Sequence, residues 1–441
     1  MSLLVKLFKG GIHPKDSKNL SNSEPIKTAP LYDKYTIILQ QHIGAPPRLV
    51  IKNGDLVKKG QILAESGGFV SAPIHSPTSG KIKLVECMGP LGSKMKAVEI
   101  TTDHNDEWDS TIKYDENWKN LTPKEIITKI SDAGIVGMGG AAFPTSVKLS
   151  PPSDKKIDTL ILNGAECEPY LTADHRLMIE EPDKVLQGAK LLAKALNVDD
   201  NIFIGIEKNK PDAIRELTSK ALDYGITVVP LRVRYPQGAE KQLIYAIRGR
   251  EVPSAGLPMD VGCVVQNVGT AAAVADAIIN RIPLIERVTT ITGSTVCNPG
   301  NWRLRLGTPI SKAIELAGGI KNQPAKIMLG GPMMGQAQSS LDVTIMKNCS
   351  GILLLSKDEI AQYTSHPCIR CGKCVDVCPI ALMPGTLSVM IESENFDLAE
   401  YTNVMDCIEC GSCAYVCPAL RPLVQHMRRG KLEVITARKK K

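Results

Sequence analysis

Two copies of one cysteine spacing constrain this chain more than any other feature: Cys368-x2-Cys371-x2-Cys374-x3-Cys378-Pro379 and Cys407-x2-Cys410-x2-Cys413-x3-Cys417-Pro418. A tetrahedral zinc site needs four thiolates and has no use for a duplicated third cysteine followed by Cys-Pro. The spacing suits a pair of 4Fe-4S clusters, in which three thiolates of one run surround one cubane and the fourth crosses to the other. Cys368, Cys371, Cys374 and Cys417 are therefore expected at one cluster, and Cys407, Cys410, Cys413 and Cys378 at the other. The remaining cysteines are scattered singly and no secretory signal opens the chain, so a disulfide framework is not expected.

At 441 residues, with domains of about 100–200 residues, three or four units are expected. Hydrophobic content of 43% and charged content of 22% lie near globular averages, so most of the chain should fold around true cores. The net charge of +7 is partly local, because Arg428, Arg429, Lys431, Arg438, Lys439, Lys440 and Lys441 crowd the C-terminal end. Such an end suits anionic lipid or an acidic partner, or else a solvated, disordered tail. Aromatic content is only 4% and no basic helix carries interleaved aromatics, which argues against nucleic-acid binding. The least polar stretch, 261–279, contains Gln266, Asn267 and Asp276. It falls short of the roughly 20 apolar residues a spanning helix needs, so a soluble or membrane-peripheral chain is expected.

Residues 30–100 are short β-type runs broken by Gly and Pro. Near 121 the pattern becomes alternating helix and strand. Thr122-Pro123-Lys124-Glu125 is a capping box with Pro at the first helical position, starting a helix to about Ala133. Strand-like runs at 157–163, 201–206 and 226–233 alternate with helical patterns at 183–196, 211–223 and after Gly238. This order predicts a doubly wound parallel sheet from about 120 to 275. Residues 286–355 return to short strands around a helical piece at 311–317, and 387–391 between the cysteine runs reads as helix. The fold class expected is multidomain α/β, with units at 1–118, 119–285, 286–355 and 356–441.

Gly137-Met138-Gly139-Gly140-Ala141-Ala142 satisfies G-x-G-x-x-A, but that fingerprint should follow a strand, and here it follows a helix. Glycine-dense loops still let backbone N–H groups approach a phosphate or flavin closely. Asn163-Gly164-Ala165-Glu166-Cys167-Glu168-Pro169 falls where a parallel strand ends, the usual ligand edge of such sheets. Cys167 within it reads as a small buried filler, not a nucleophile.

These segments resemble known families. Residues 53–61 with 71–82 are similar to a biotinyl/lipoyl-type barrel-sandwich hybrid, and the intervening Glu65-Ser66-Gly67-Gly68-Phe69-Val70 lacks a modifiable lysine, implying an unmodified scaffold module. Residues 137–148 resemble the loop G-R-G-G-A-G-F-P-T-G-x-K of the NADH-oxidising flavoprotein subunit of respiratory complex I. Residues 163–169 resemble its N-A-D-E-S-E-P, 235–243 its Y-x-x-G-E-E-x-x-L, and 266–270 its N-N-V-E-T. Met138 stands in place of an arginine, Ala239 and Gly269 in place of glutamates, and Ser146 in place of a glycine. Residues 286–355 are similar to a soluble-ligand-binding β-grasp domain, and the cysteine runs to a helical two-cluster ferredoxin domain. With Gly10-Gly11-Ile12-His13-Pro14 at the start, the whole order resembles the RnfC family, peripheral subunits of Rnf ion-translocating electron transport complexes.

The resemblance implies a ferredoxin:NAD oxidoreductase subunit carrying FMN and two 4Fe-4S clusters, with NAD(H) as substrate. A hydride carries two electrons and each cluster accepts one, so a flavin is the converter between them. The resemblance places Gly137, Gly139, Gly140, Lys148, Asn163, Asn267 and Thr270 in the flavin cradle, and Glu166, Glu168 and Glu240 on the nicotinamide side. It implies partner subunits in a membrane complex, ferredoxin reached through one of them, and a peripheral place on the cytoplasmic face of a bacterial membrane. Two other readings stay open: a non-catalytic electron-conduit scaffold and a soluble NADH-dependent ferredoxin-type reductase.

Overall fold

The computed structural model describes residues 5–364 and 366–440; Lys441 of the basic end lies outside them. Strands Lys34–Ile38, Lys94–Thr102, Gly80–Met88 and Leu56–Val57 pair antiparallel in one sheet, and Arg48–Leu49, Ile62–Glu65 and Ile74–His75 form a second. Ile37, Leu63, Ile74, Ile82, Val98 and Ile100 fill the space between them. The alternation of Ile82 with exposed Lys81 and Lys83 is that of a strand with one wet face.

The capping box forms: Thr122 accepts from Glu125 N while Glu125 accepts from Thr122 N, opening the helix Pro123–Asp132. Four strands follow, all parallel, in the spatial order Thr227–Leu231, Ile202–Glu207, Thr159–Gly164, Cys263–Asn267. One face of this sheet is covered by Pro123–Asp132, Ala173–Glu180, Pro182–Ala195, Pro211–Ala221 and Val268–Ile279, the other by Glu240–Arg248. Leu160 and Leu162 point into the larger core and Ile161 into the smaller, as period-two alternation requires. Helices Pro182–Ala195 and Val268–Ile279 approach so closely that a Cβ on Gly188 would lie 1.8 Å from the carbonyl oxygen of Ala271. Only glycine fits there.

A six-stranded sheet comes next, in the order Ile26–Thr28, Gly300–Arg305, Glu286–Thr292, Gly351–Leu355, Lys326–Leu329, Gln336–Gln338, with helix Ile310–Leu316 packed on it. Its first strand comes from the N-terminal segment, which precedes the barrel in the chain and, before reaching this sheet, bridges Ile12 to Tyr235 of the parallel-sheet domain.

Each cysteine run passes through a short helix that carries its third cysteine, Lys373–Asp376 with Cys374 and Ser412–Tyr415 with Cys413, in a domain with Pro384–Glu392, Phe396–Tyr401 and Leu423–Lys440. The basic run, which suited anionic lipid, an acidic partner or a disordered end, is ordered as the last of these helices. Leu423, Met427, Gly430 and Val434 form its buried stripe, while Arg428 and Lys431 pair with Glu409, Arg429 with Glu394, and Arg438 with Glu400. Exposed pairs of this kind are worth about 0–1 kcal/mol each, so the apolar stripe is what docks the helix. Among the described residues no helix is long and apolar enough to cross a membrane.

Lys347 is buried where three units meet, donating to the carbonyls of Pro73 and Gly134 at 2.8 and 2.7 Å. Burial pulls its pKa down from 10.5 to about 7. Unfolded, the lysine holds a proton throughout that window; folded, it does not. Stability should therefore rise from pH 7 toward pH 10. Lys347→Met should flatten that rise, which thermal melts at pH 7 and pH 9 would measure.

Candidate electron-transfer site

The glycine loop connects helix Pro123–Asp132 to the short helix Thr145–Lys148. Its base is closed by Gly137 N donating to Phe143 O at 2.9 Å and by Met138 N donating to Thr270 Oγ1 at 3.0 Å. Gly139 and Gly140 are exposed at its crest. A Cβ on Gly139 would meet the Asn267 amide at 3.0 Å, whereas one on Gly140 would meet nothing within 4 Å. The crest thus faces open space on its Cβ side, while the Gly140 carbonyl accepts from Asn348 Nδ2 at 3.4 Å.

Beneath it lie the carboxyl ends of the two neighbouring strands Thr159–Gly164 and Cys263–Asn267, where Asn163 and Asn267 are register partners. Asn163 donates to Gly238 O at 2.8 Å and accepts from Ala165 N. Asn267 donates to Asp174 at 2.6 Å and caps helix Val268–Ile279 by accepting from Gly269 N at 2.8 Å. Lys148 pairs with Glu240 at 2.7 Å and donates to Val265 O at 3.0 Å. Thr270 is fully buried, so it holds the base of the loop from behind. The tertiary fold therefore gathers every expected cradle residue at one sheet edge.

The two turn acids are engaged by backbone donors. Glu166, at a left-handed φ of 44°, accepts from Asp174 N at 2.7 Å and His175 N at 3.3 Å, with Lys18 Nζ 3.9 Å away. Glu168 accepts from Met333 N at 3.1 Å and Met334 N at 2.8 Å, tying the acidic turn to a loop of the six-stranded sheet domain. Burial raises both carboxyls from 4.5 to about 7. Cys167 between them accepts from Gly238 N at 3.2 Å, and burial pushes its thiol up, out of nucleophile range. Lys18, which donates to the carbonyls of Glu168 and Leu171, is a site residue that sequence reasoning misses. Its partners are about 150 residues away and no local pattern announces them.

The folded form of Glu168 keeps its proton between pH 4.5 and about 7, so its stabilising contribution is lost as pH rises through 7. Glu168→Gln, neutral at every pH, should cost about 1 kcal/mol at pH 6 through one weakened backbone bond. That deficit should shrink at pH 8, as urea unfolding at the two pH values would show.

The two positions where the complex I pattern has arginine and glutamate, Met138 and Gly269, lie side by side: a Cβ on Gly269 would stand 3.7 Å from Met138 Cε. Relative to that pattern, the paired departures remove one positive and one negative charge from the same spot, leaving its net charge unchanged.

Cys378, Cys407, Cys410 and Cys413 line one cavity whose other walls include Leu382, Pro384, Val424 and Met427. Among the described residues no group of three or more His, Cys, Asp or Glu is arranged to hold a single metal ion; these thiols surround a space. Four soft donors around a mostly apolar cavity fit an iron–sulfur cluster. Burial raises the Cys378 and Cys413 thiols and takes Cys407 to about 11, so metal loading must expel protons. In the other set, the Cys374 and Cys368 sulfurs both approach Gly385, whose Cβ would lie 3.3 and 3.6 Å from them. Cys371 is exposed, and Cys417 and Cys374, like Cys413 of the other set, pack against Ala414, Leu423 and Val424.

Residues 130–276 match the Nuo51 FMN-binding domain, 6–105 the RnfC barrel sandwich hybrid domain, 288–337 the SLBB domain and 360–418 the 4Fe-4S dicluster domain. An open glycine loop on a parallel sheet, docked to a domain of paired cysteine sets, defines a flavin and iron–sulfur electron-transfer protein. The chain belongs to the RnfC family, whose members are components of ion-translocating oxidoreductase complexes. It is 52% identical to the RnfC-type component of the proton-translocating ferredoxin:NAD(+) oxidoreductase complex of Clostridium ljungdahlii, over 96% of this chain and 93% of that one. Identity is 47% to the counterpart from the Na(+)-translocating complex of Acetobacterium woodii, over 98% of each chain, and 42% to that from the ion-translocating oxidoreductase complex of Rhodobacter capsulatus, over 98% and 84%. The crystal structure of a NAD+-reducing NiFe-hydrogenase in the H2-reduced state superposes with a TM-score of 0.53 over 72% of this chain and 64% of that one. At 17% identity that likeness is one of fold.

Proposed function

We propose that this chain is the subunit of a membrane-bound, ion-translocating ferredoxin:NAD oxidoreductase that exchanges hydride between NAD(H) and FMN and passes single electrons through two 4Fe-4S clusters to or from partner subunits. The observation that carries this reading is the bare crest of Gly139 and Gly140 above the register-paired Asn163 and Asn267, a cradle that side chains have not filled. FMN bound there supplies the conversion between two-electron hydride chemistry and one-electron transfer. Gly137, Gly139 and Gly140 offer backbone N–H groups, Lys148 offsets negative charge, Asn163 and Asn267 orient polar atoms, and Thr270 keeps the loop in place. Glu240 serves the nicotinamide side through its pairing with Lys148. Glu166 and Glu168 shape that side by fixing the turn between strand and helix. Cys368, Cys371, Cys374 and Cys417 hold one cluster, and Cys407, Cys410, Cys413 and Cys378 the other.

The division into units at 1–118, 119–285, 286–355 and 356–441 belongs to the same reading. A β-grasp in the third unit is supported by its five-strand mixed order around one helix. The partners are the other subunits of the complex, one of which meets ferredoxin, and the chain sits peripherally on the cytoplasmic face. Anaerobic reconstitution followed by NADH titration tests the proposal: flavin and iron–sulfur absorbance should bleach together. NADH binding without bleaching would favour a conduit scaffold, and ferredoxin reduction by the isolated chain would favour a soluble reductase.

A further inference from the structure

The opening Gly10-Gly11-Ile12 motif and Tyr235 have no part in the cradle, yet they meet at the boundary between the flavin domain and the cysteine domain. Tyr235 is 2% exposed. Its hydroxyl donates to the backbone carbonyl of Cys410 at 2.7 Å. Three residues on, Gly238 joins the flavin edge by accepting from Asn163 and donating to Cys167. Behind the ring, Ile12 and Tyr235 exchange both backbone bonds, at 2.8 and 2.9 Å, while Gly11 N donates to Val377 O at 2.8 Å. Gly10, at φ +72°, comes so close that a Cβ would sit 2.6 Å from Cys378 O. Gln242 adds a bond to Pro379 O at 3.0 Å, and the backbone of Met333 approaches Gly411.

These contacts share one property. They fall on residues 377–379 and 410–411, beside two of the four cysteines that line a single cavity, although Cys378 and Cys410 come from different runs. The other cysteine set is more open to solvent: Cys371 is exposed, and Ile369 beside Cys368 is 64% exposed.

We propose that Tyr235, backed by the Gly10–Ile12 strap, is a positioning residue that holds the cluster of Cys378, Cys407, Cys410 and Cys413 against the flavin edge and tunes it, making it the cluster that exchanges electrons with the flavin. This rests on the flavin and cluster reading above. The cluster that Cys378, Cys407, Cys410 and Cys413 would hold would lie between the flavin and the cluster of Cys368, Cys371, Cys374 and Cys417, and in either direction each would supply one-electron transfer, one acceptor reduced for each donor oxidised. The tyrosine hydroxyl directs its positive end toward a ligand's carbonyl, which stabilises the reduced, more negative cluster.

EPR-monitored redox titration of the reconstituted full chain tests this, with Cys371→Ser used to assign the signal of the Cys368 set. Tyr235→Phe keeps the ring and removes the donor. The midpoint of the Cys378/Cys410 cluster should move to lower potential while the other holds its value. Gly10→Ala should cost iron from that same cluster selectively. Flavin and iron present, with both midpoints unmoved in Tyr235→Phe or with the shift on the Cys368 set, overturns this proposal alone. A wild-type chain that takes up no flavin overturns the functional reading and this inference with it.

Discussion

Gly140→Val is expected to weaken flavin binding sharply while leaving the melting temperature of the flavin-free protein within about 1 °C of wild type, since surface changes away from special features stay within about ±0.5 kcal/mol. A Cβ at Gly140 meets no protein atom within 4 Å, and the residue is exposed, so the fold has no reason to object. The added atoms would occupy space that a cofactor needs at the crest. Overpacking of about 1–3 kcal/mol corresponds to roughly five- to 150-fold weaker flavin binding. Gly139→Val behaves differently, because its Cβ presses on Asn267, the cap of helix Val268–Ile279. It should lose flavin and also lower the melting temperature. Flavin content after reconstitution, read beside calorimetry, separates the two; normal flavin loading in Gly140→Val would mean the cofactor lies elsewhere.

Cys378→Ser is expected to remove the cluster whose other three ligands lie about thirty residues further along, and to spare the one nearest in sequence. Wild-type protein purified anaerobically should hold about eight iron and eight labile sulfide per chain, and the variant about four of each. The reason is spatial: Cys378 lines the cavity of Cys407, Cys410 and Cys413, not the space before Gly385 where Cys368 and Cys374 converge. Cys417→Ser should give the reverse loss. EPR of the two reduced variants tells them apart, and damage confined to each variant's own run would reject the crossed ligation.

Much of this arrangement is legible in the chain itself. A cluster loop is a local object, so its cysteine spacing appears intact in the sequence, and a capping box needs only Thr122 and Glu125 three residues apart. Parallel strands buried on both faces read as apolar runs, and their ends mark the cradle. The sheet's register is not legible. That Asn163 and Asn267 stand side by side follows from the last strand pairing with the first, skipping the two between.

The basic end escapes a charge count because charge without spacing carries no periodicity, and Leu423, Met427, Gly430 and Val434 supply a helical stripe that such a count hides. The strand Ile26–Thr28 is too short for any periodicity to reveal, and only its partner Gly300–Arg305 makes it a strand. Glu166 and Glu168 are singled out by their motif, while their donors, at Asp174 and His175 and at Met333 and Met334, come from the fold.

By itself the sequence determined the cofactor chemistry and the order of the matched units, and it supplied the residues proposed for the cradle, because ligand spacing, caps and apolar runs act over a few residues. The tertiary structure alone decided which cluster set abuts the flavin domain, which acids are locked to backbone donors, and how the N-terminal strap joins three units. Those outcomes depend on contacts between residues up to hundreds of positions apart, such as Gly10 with Cys378 and Tyr235 with Cys410, whose pairing no local pattern encodes.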